Sequence, residues 1–200
     1  MGAFLPLATI ALVLRIVSRV KFSHVGADDI SIIIAYVLYV GLNIATVFAT
    51  KYGLGIHIWD VDYPRTGISM QKCGFSSQVL YPASQGFTKL SILLFLARVV
   101  PSTSRWRKRI WTIAAFVVCQ EMAFTITLFL QCRPTSYYWD KAMNPPGTCI
   151  NQPAFYYVDA SINICTDLVI LSLPWFIFSS LQVPRRKKYA LLAICSVGCL

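Results

Sequence analysis

Three charged side chains stand inside long apolar runs: Lys89, Glu121 and Asp167. An ionised group at membrane depth is costly, faces a bundle interior, and marks a ligand contact, a switch or a transport path. At 1.5 Å per residue, Lys89 and Glu121 each lie about 17 Å from the inner ends of their runs, and Asp167 about 21 Å. Opposite charges at such similar depths are placed to pair. Their neighbours extend the pattern. Gln78, Tyr81, Gln85, Thr88 and Lys89 recur at spacings of three and four, which lines a single helix face. Asp159, Asn163 and Asp167 are four apart and form a second stripe, and Tyr36, Asn43 and Thr50, seven apart, a weaker third. The chemistry on offer is a ligand cavity or switch network bridged by Lys89 and Asp167, with Glu121, Asn163 and Gln85 beside them. The plainer account is interhelical hydrogen bonding that glues helices together. A proton relay needs acids aligned along one path, and Asp159 and Asp167 are a thin basis for one.

Catalytic and metal chemistry find less support. The two histidines, His24 and His57, are far apart, and no C-x-x-C pair occurs among the seven cysteines. No G-x-S-x-G nucleophile motif is present, and Cys73 has no evident base beside it. The expectation is a protein without enzymatic activity, metal or cofactor.

Helices that cross a bilayer must carry these residues. The 200 residues are 56% hydrophobic and only 13% charged, against about 25% charged in soluble domains. The apolar residues fall into blocks at about 3–20, 30–50, 73–100, 110–130 and 155–181, and a sixth begins at 189 and is still apolar at 200. Most are long enough to span, and each ends in a polar or Pro/Gly-rich link. In the first block, Arg15, Arg19 and Lys21 follow the apolar residues instead of preceding them, so it reads as a retained helix and not a secretory leader. Asp28 and Asp29 open the second block, where acids suit the positive end of a helix dipole. The reading is one domain over 1–200, an all-α polytopic membrane helix bundle in contact with lipid.

The net charge of +10 is not spread over one face, which argues against a nucleic-acid partner. Arg105, Arg107, Lys108 and Arg109 sit in one short loop, and Arg185, Arg186, Lys187 and Lys188 in another. With Arg15, Arg19, Lys21 and Arg98 they mark a cytoplasmic side, so the N-terminus is expected outside in a multi-pass protein of the plasma membrane. These basic loops suit anionic lipid head groups.

On the opposite side lie Cys73, Cys132 and Cys149. An oxidising outer face favours a disulfide among them. Cys132–Cys149 closes the Pro/Trp-rich loop on itself and is preferred; Cys73–Cys149 instead staples that loop to the third helix. Cys119, Cys165, Cys195 and Cys199 read as reduced packing residues.

The order of segments resembles a known family. Gly26-Ala27-Asp28-Asp29 is followed by Lys51-Tyr52-Gly53-Leu54-Gly55-Ile56-His57 and by Lys89-Leu90-Ser91-Ile92-Leu93. Then come Gln131-Cys132-Arg133-Pro134 with Trp139-Asp140, Gly147-Thr148-Cys149, and Asn163-Ile164-Cys165-Thr166-Asp167-Leu168 with Leu173-Pro174. Leu181-Gln182-Val183-Pro184 leads into the last basic loop. Together they look like the fungal rhodopsin-domain family of integral membrane proteins, which includes the Pth-type surface-sensing receptors. The resemblance implies a seven-helix architecture similar to a G-protein-coupled receptor, with helix six truncated and helix seven absent from this sequence. It implies a receptor-like sensor with an unknown extracellular ligand and a cytoplasmic signalling partner. A transporter or channel working through Lys89, Glu121 and Asp167 is the alternative. Retinal is not expected, because rhodopsins hold it on a lysine of the last helix. Arg98 follows Cys73 at a receptor-like spacing, but Ala97 and Val99 replace the usual acid and aromatic, so it reads as an inner-face anchor.

Overall fold

The computed structural model describes residues 4–22, 26–57, 65–101, 103–139 and 147–180. Five α-helices follow one another: α1 (Phe4–Phe22), α2 (Ala27–Lys51), α3 (Arg65–Val99), α4 (Arg105–Phe129) and α5 (Gln152–Ser180). Between α4 and α5 a small hairpin forms from β1 (Cys132–Arg133), a 3₁₀ turn (Thr135–Tyr138) and β2 (Thr148–Cys149). The expected sixth helix at 189–200, and the basic run Arg185, Arg186, Lys187 and Lys188, lie outside the described residues.

Helices α2 to α5 are long and apolar enough to cross a membrane. Their outward faces carry Ile30, Val37, Ile44 and Val47 on α2, Trp111, Phe116, Met122 and Ile126 on α4, and Tyr157, Ile164, Leu168 and Phe176 on α5. An apolar surface this extensive is foreign to a soluble monomer and fits a hydrocarbon solvent. The fold is a helical membrane bundle in contact with lipid. Helix α1 is less apolar at its end, where Arg15 and Arg19 turn toward α2.

The buried core occupies the C-terminal parts of α3 and α5 and the N-terminal part of α4. Leu93, Leu96 and Ala97 of α3 pack with Ile110, Ala114 and Val117 of α4 and with Ile170, Leu173 and Ile177 of α5. Toward the other end, polar side chains replace these aliphatic ones.

Helices α2 to α5 all start earlier than their apolar blocks, α3 and α4 by the most. α3 begins at Arg65, eight residues before the apolar block expected from about 73. α4 begins at Arg105, which puts Arg105, Arg107, Lys108 and Arg109 on its first turns and not in a loop. The cause is common to both. Apolar runs report the thickness of the bilayer, whereas a helix continues until its backbone is capped. Ser104 supplies that cap for α4, its hydroxyl accepting the Trp106 N–H at 3.3 Å. After α2 the chain turns through Gly53 and Gly55, whose φ values of 101° and 102° belong to a region that favours glycine.

Candidate functional site

Lys89 is the centre of the buried polar layer, only 5% exposed. Its ammonium donates to Asn163 Oδ1 at 2.5 Å and to Thr166 Oγ1 at 3.2 Å. Asp167 Oδ1 lies 3.3 Å away and Glu121 Oε1 3.7 Å. The structure therefore gathers Lys89, Glu121, Asn163 and Asp167 from three helices at one depth. The Glu121 contact is too long for a hydrogen bond, and among the described residues neither carboxylate oxygen has a hydrogen-bond partner. Glu121 reaches this layer because α3 presents Gly86 to it: a Cβ there would stand 2.9 Å from Glu121 Cγ.

The second stripe supports the same centre. Asn163 donates to Asp159 Oδ1 at 2.8 Å, which orients its own carbonyl oxygen toward Lys89. Gln85 does not join Lys89; it donates to the Tyr81 hydroxyl at 2.7 Å. Tyr81, Gln85, Tyr156, Asp159, Asn163 and Asp167 line a cleft of about 420 Å³ between α3 and α5. The α2 stripe stands apart from it. Tyr36 bonds Thr9 of α1 at 2.7 Å, while Asn43 and Thr50 donate to carbonyls of their own helix. Thr166 is not among the residues that sequence alone singles out for this layer. The signal for it was its place one residue before Asp167 and three after Asn163, on the same helix face.

At one end of the bundle the hairpin is closed by a Cys132–Cys149 disulfide with Cα atoms 4.1 Å apart. Cys73 is a free thiol, so the alternative pairing to α3 is not made. The two cysteines face one another in the antiparallel pair, and the Ile150 N–H donates to Gln131 O at 2.9 Å. The hairpin rests on α3: Gln78 donates to the Tyr138 hydroxyl at 2.9 Å, and Phe75 packs against Tyr138, Trp139 and Phe129. Asp140 lies outside the described residues.

At the other end, an ion cluster joins α1, α2 and α3. Asp28 and Asp29 are 2% and 3% exposed. Asp28 Oδ2 accepts from Arg15 and Arg19 at 3.1 Å each, and its Oδ1 from Arg98 at 3.3 Å. Asp29 Oδ1 accepts from Arg15 at 3.2 Å and its Oδ2 caps the Gly26 N–H at 3.1 Å. Ser91 donates to Asp28 O at 2.7 Å. A Cβ on Gly26 would stand 2.5 Å from Asp28 Oδ1 and 2.6 Å from Arg98 Nη1, so any other residue there must push these two side-chain ends aside. Helix-dipole reasoning accounts for acids at the start of α2 but does not identify the arginine partners of Asp28 and Asp29.

Among the described residues no group of three or more His, Cys, Asp or Glu is placed to hold a metal ion.

A polytopic helical bundle with charge clusters at its centre and at one end defines a multi-pass integral membrane protein. Residues 14–200 match the family model described as the fungal rhodopsin domain, and the chain belongs to that family. It is 34% identical to a SAT4 family membrane protein of Emericella nidulans over 78% of this chain and 40% of that protein. It is 26% identical to Wortmanamides biosynthesis cluster protein C of Talaromyces wortmannii over 98% of this chain and 54% of the relative. It is 27% identical to Fugralins biosynthesis cluster protein 2 of Gibberella zeae over 97% and 50%. The chain thus spans about half the length of the curated relatives it matches. No solved structure matches it.

Proposed function

We propose that this chain is the sensing part of a receptor-like protein of the plasma membrane, with its N-terminus outside and no catalytic chemistry of its own. The observation that carries the reading is the continuity of α3. One 35-residue helix holds the disulfide-closed hairpin through Gln78, the buried charge layer through Lys89 and the Asp28 cluster through Arg98. From Gln78 to Arg98 is about 30 Å of helix, with one proline, Pro82, inside it, so an event at the hairpin end has one continuous element through which to reach the other. Relatives named for the biosynthesis clusters of wortmanamides and fugralins favour an organic metabolite as the ligand. The basic first turns of α4 offer a surface to a cytoplasmic partner or to anionic lipid.

A bimane fluorophore on Val99→Cys, in a chain with the free cysteines replaced and reconstituted in nanodiscs, tests the coupling. The sensor reading expects Gln78→Leu to shift the bimane emission while the chain stays folded. An unchanged spectrum at both ends of the comparison rejects it. Protease access to an N-terminal tag on intact cells tests the orientation.

A transporter or channel is the second reading, favoured by the cluster of Lys89, Glu121 and Asp167 at one depth. It expects solute flux in proteoliposomes that changes with Asp167→Asn, and an absence of flux counts against it.

A further inference from the structure

We propose that the cleft between α3 and α5 is a binding site for a small organic cation, an ammonium on an apolar or aromatic body, held by Asp159 and Asp167 between Tyr81 and Tyr156. The inference deepens the sensor reading, on which it rests, by naming the class of ligand. Three observations meet here. The cleft, about 420 Å³, is in the size range of small-molecule sites. Two carboxylates line it, Asp159 and Asp167; of these only Asp167 meets the Lys89 ammonium, which Glu121 approaches from outside the lining. Glu121, 7% exposed and directed at Lys89 beneath the cleft, has no hydrogen-bond donor on either oxygen among the described residues. Lys89 is already committed to Asn163, Thr166 and Asp167. Carboxylates in surplus at this depth call for a further positive charge.

The rest of the wall selects an organic cation. The side chain of Asp167 is 43% exposed although its Oδ1 meets Lys89, so the carboxylate remains open to the cleft. Tyr81 and Tyr156 supply aromatic surface, which attracts ammonium groups more than neutral or anionic ones. Among the described residues Gln85 Oε1 has no hydrogen-bond partner, which leaves a further acceptor for an N–H at the same wall. An anion meets repulsion from Asp159 and Asp167, and a neutral body leaves their charge unanswered.

The test uses the whole chain in nanodiscs and three probes with one skeleton and different charge: phenethylamine, phenethyl alcohol and phenylacetate. Ligand binding to the folded state raises the melting temperature by mass action. The expected result is a concentration-dependent rise with phenethylamine alone, with apparent affinity falling at least tenfold in Asp159→Asn while the ligand-free melt stays at the parental value. Asp159→Asn keeps an oxygen for Asn163 and does not touch Lys89, so it is expected to fold; Tyr156→Leu, which removes a ring without charge, is the second variant and is expected to weaken the amine as well. A rise with alcohol or acid equal to that with amine overturns the proposal, as does amine binding indifferent to Asp159→Asn, or no rise with any probe. An equal rise with sodium chloride that Asp159→Asn abolishes reassigns the site to an inorganic cation and also overturns it. The Val99→Cys fluorescence response needs no ligand, so failure of the sensor reading is read separately.

Discussion

Arg98 at the end of α3 lies 3.3 Å from Asp28 at the start of α2, seventy residues away in the chain. Arg15 and Arg19 converge on the same carboxylate. Removing one member of a buried ion group leaves the others desolvated and unpaired. Asp28→Ala is therefore expected to lower stability by about 3 kcal/mol, the low end of the range for buried pairs because the arginines are partly exposed. Thermal unfolding in detergent reads the loss. Gly26→Ala should destabilise in the same direction, since its methyl meets Arg98; a parental melt in both variants would sink the structural role of the cluster.

Gly86 and Gly74 sit on the same helix and make a controlled pair. At Gly86 a Cβ stands 2.9 Å from Glu121 Cγ and 3.3 Å from its Cβ, so α4 must move away. Gly86→Ala is expected to cost about 1–3 kcal/mol through overpacking. At Gly74 nothing lies within 4 Å, and Gly74→Ala should stabilise by up to about 1 kcal/mol through helix propensity. Chemical denaturation of the two variants side by side checks the sign of each.

The charge layer predicts an asymmetry between Lys89 and Glu121. Lys89→Met removes the ammonium that meets Glu121 and Asp167 and strands both carboxylates, an expected loss of about 3 kcal/mol. Glu121→Gln keeps the shape, relieves the surplus of carboxylates, and is expected to change stability by less than about 1 kcal/mol. In a double-mutant cycle of Lys89→Met with Asp167→Asn, the double variant should lose less stability than the sum of the two single losses. Additive losses would mean that the 3.3 Å contact contributes nothing.

Cys149→Ser opens a loop whose ends are 17 residues apart. The expected loss is about 3 kcal/mol on the chain-entropy account. Cys73→Ser should leave the melt within about 0.5 kcal/mol, because Cys73 is free and partly exposed. Melts with and without reductant provide the check: reductant should lower the parental midpoint and leave that of Cys149→Ser in place.

The hairpin's seat on α3 is separable from its closure. Tyr138→Phe deletes the acceptor of the Gln78 bond, with a cost of about 1 kcal/mol, and leaves the ring packed on Phe75. Hydrogen exchange at Tyr137 and Trp139 should speed up while the disulfide stays intact by mass spectrometry. Unchanged protection would mean that the aromatic contacts alone hold the hairpin.

The bundle could be read from sequence because a bilayer imposes one dominant rule. Spanning segments must be long, apolar and internally hydrogen-bonded, and that rule is local to each segment. Lys89, Glu121 and Asp167 stood out for the same reason, as violations of it. Helix ends were less legible: α3 and α4 run past their apolar runs until a cap such as Ser104 stops them. Partners depended on the tertiary structure. Sequence favoured Cys132–Cys149 but left Cys73 open, and only the antiparallel register that sets Cys132 opposite Cys149 decided between them. Asp28 with Arg98, Lys89 with Thr166, and Glu121 against Gly86 each join residues from different helices. Periodicity tells which face of a helix is polar, but the rotation and closeness of two packed helices determine which polar groups meet, and those come from small residues such as Gly26 and Gly86 whose effect appears only when the helices touch.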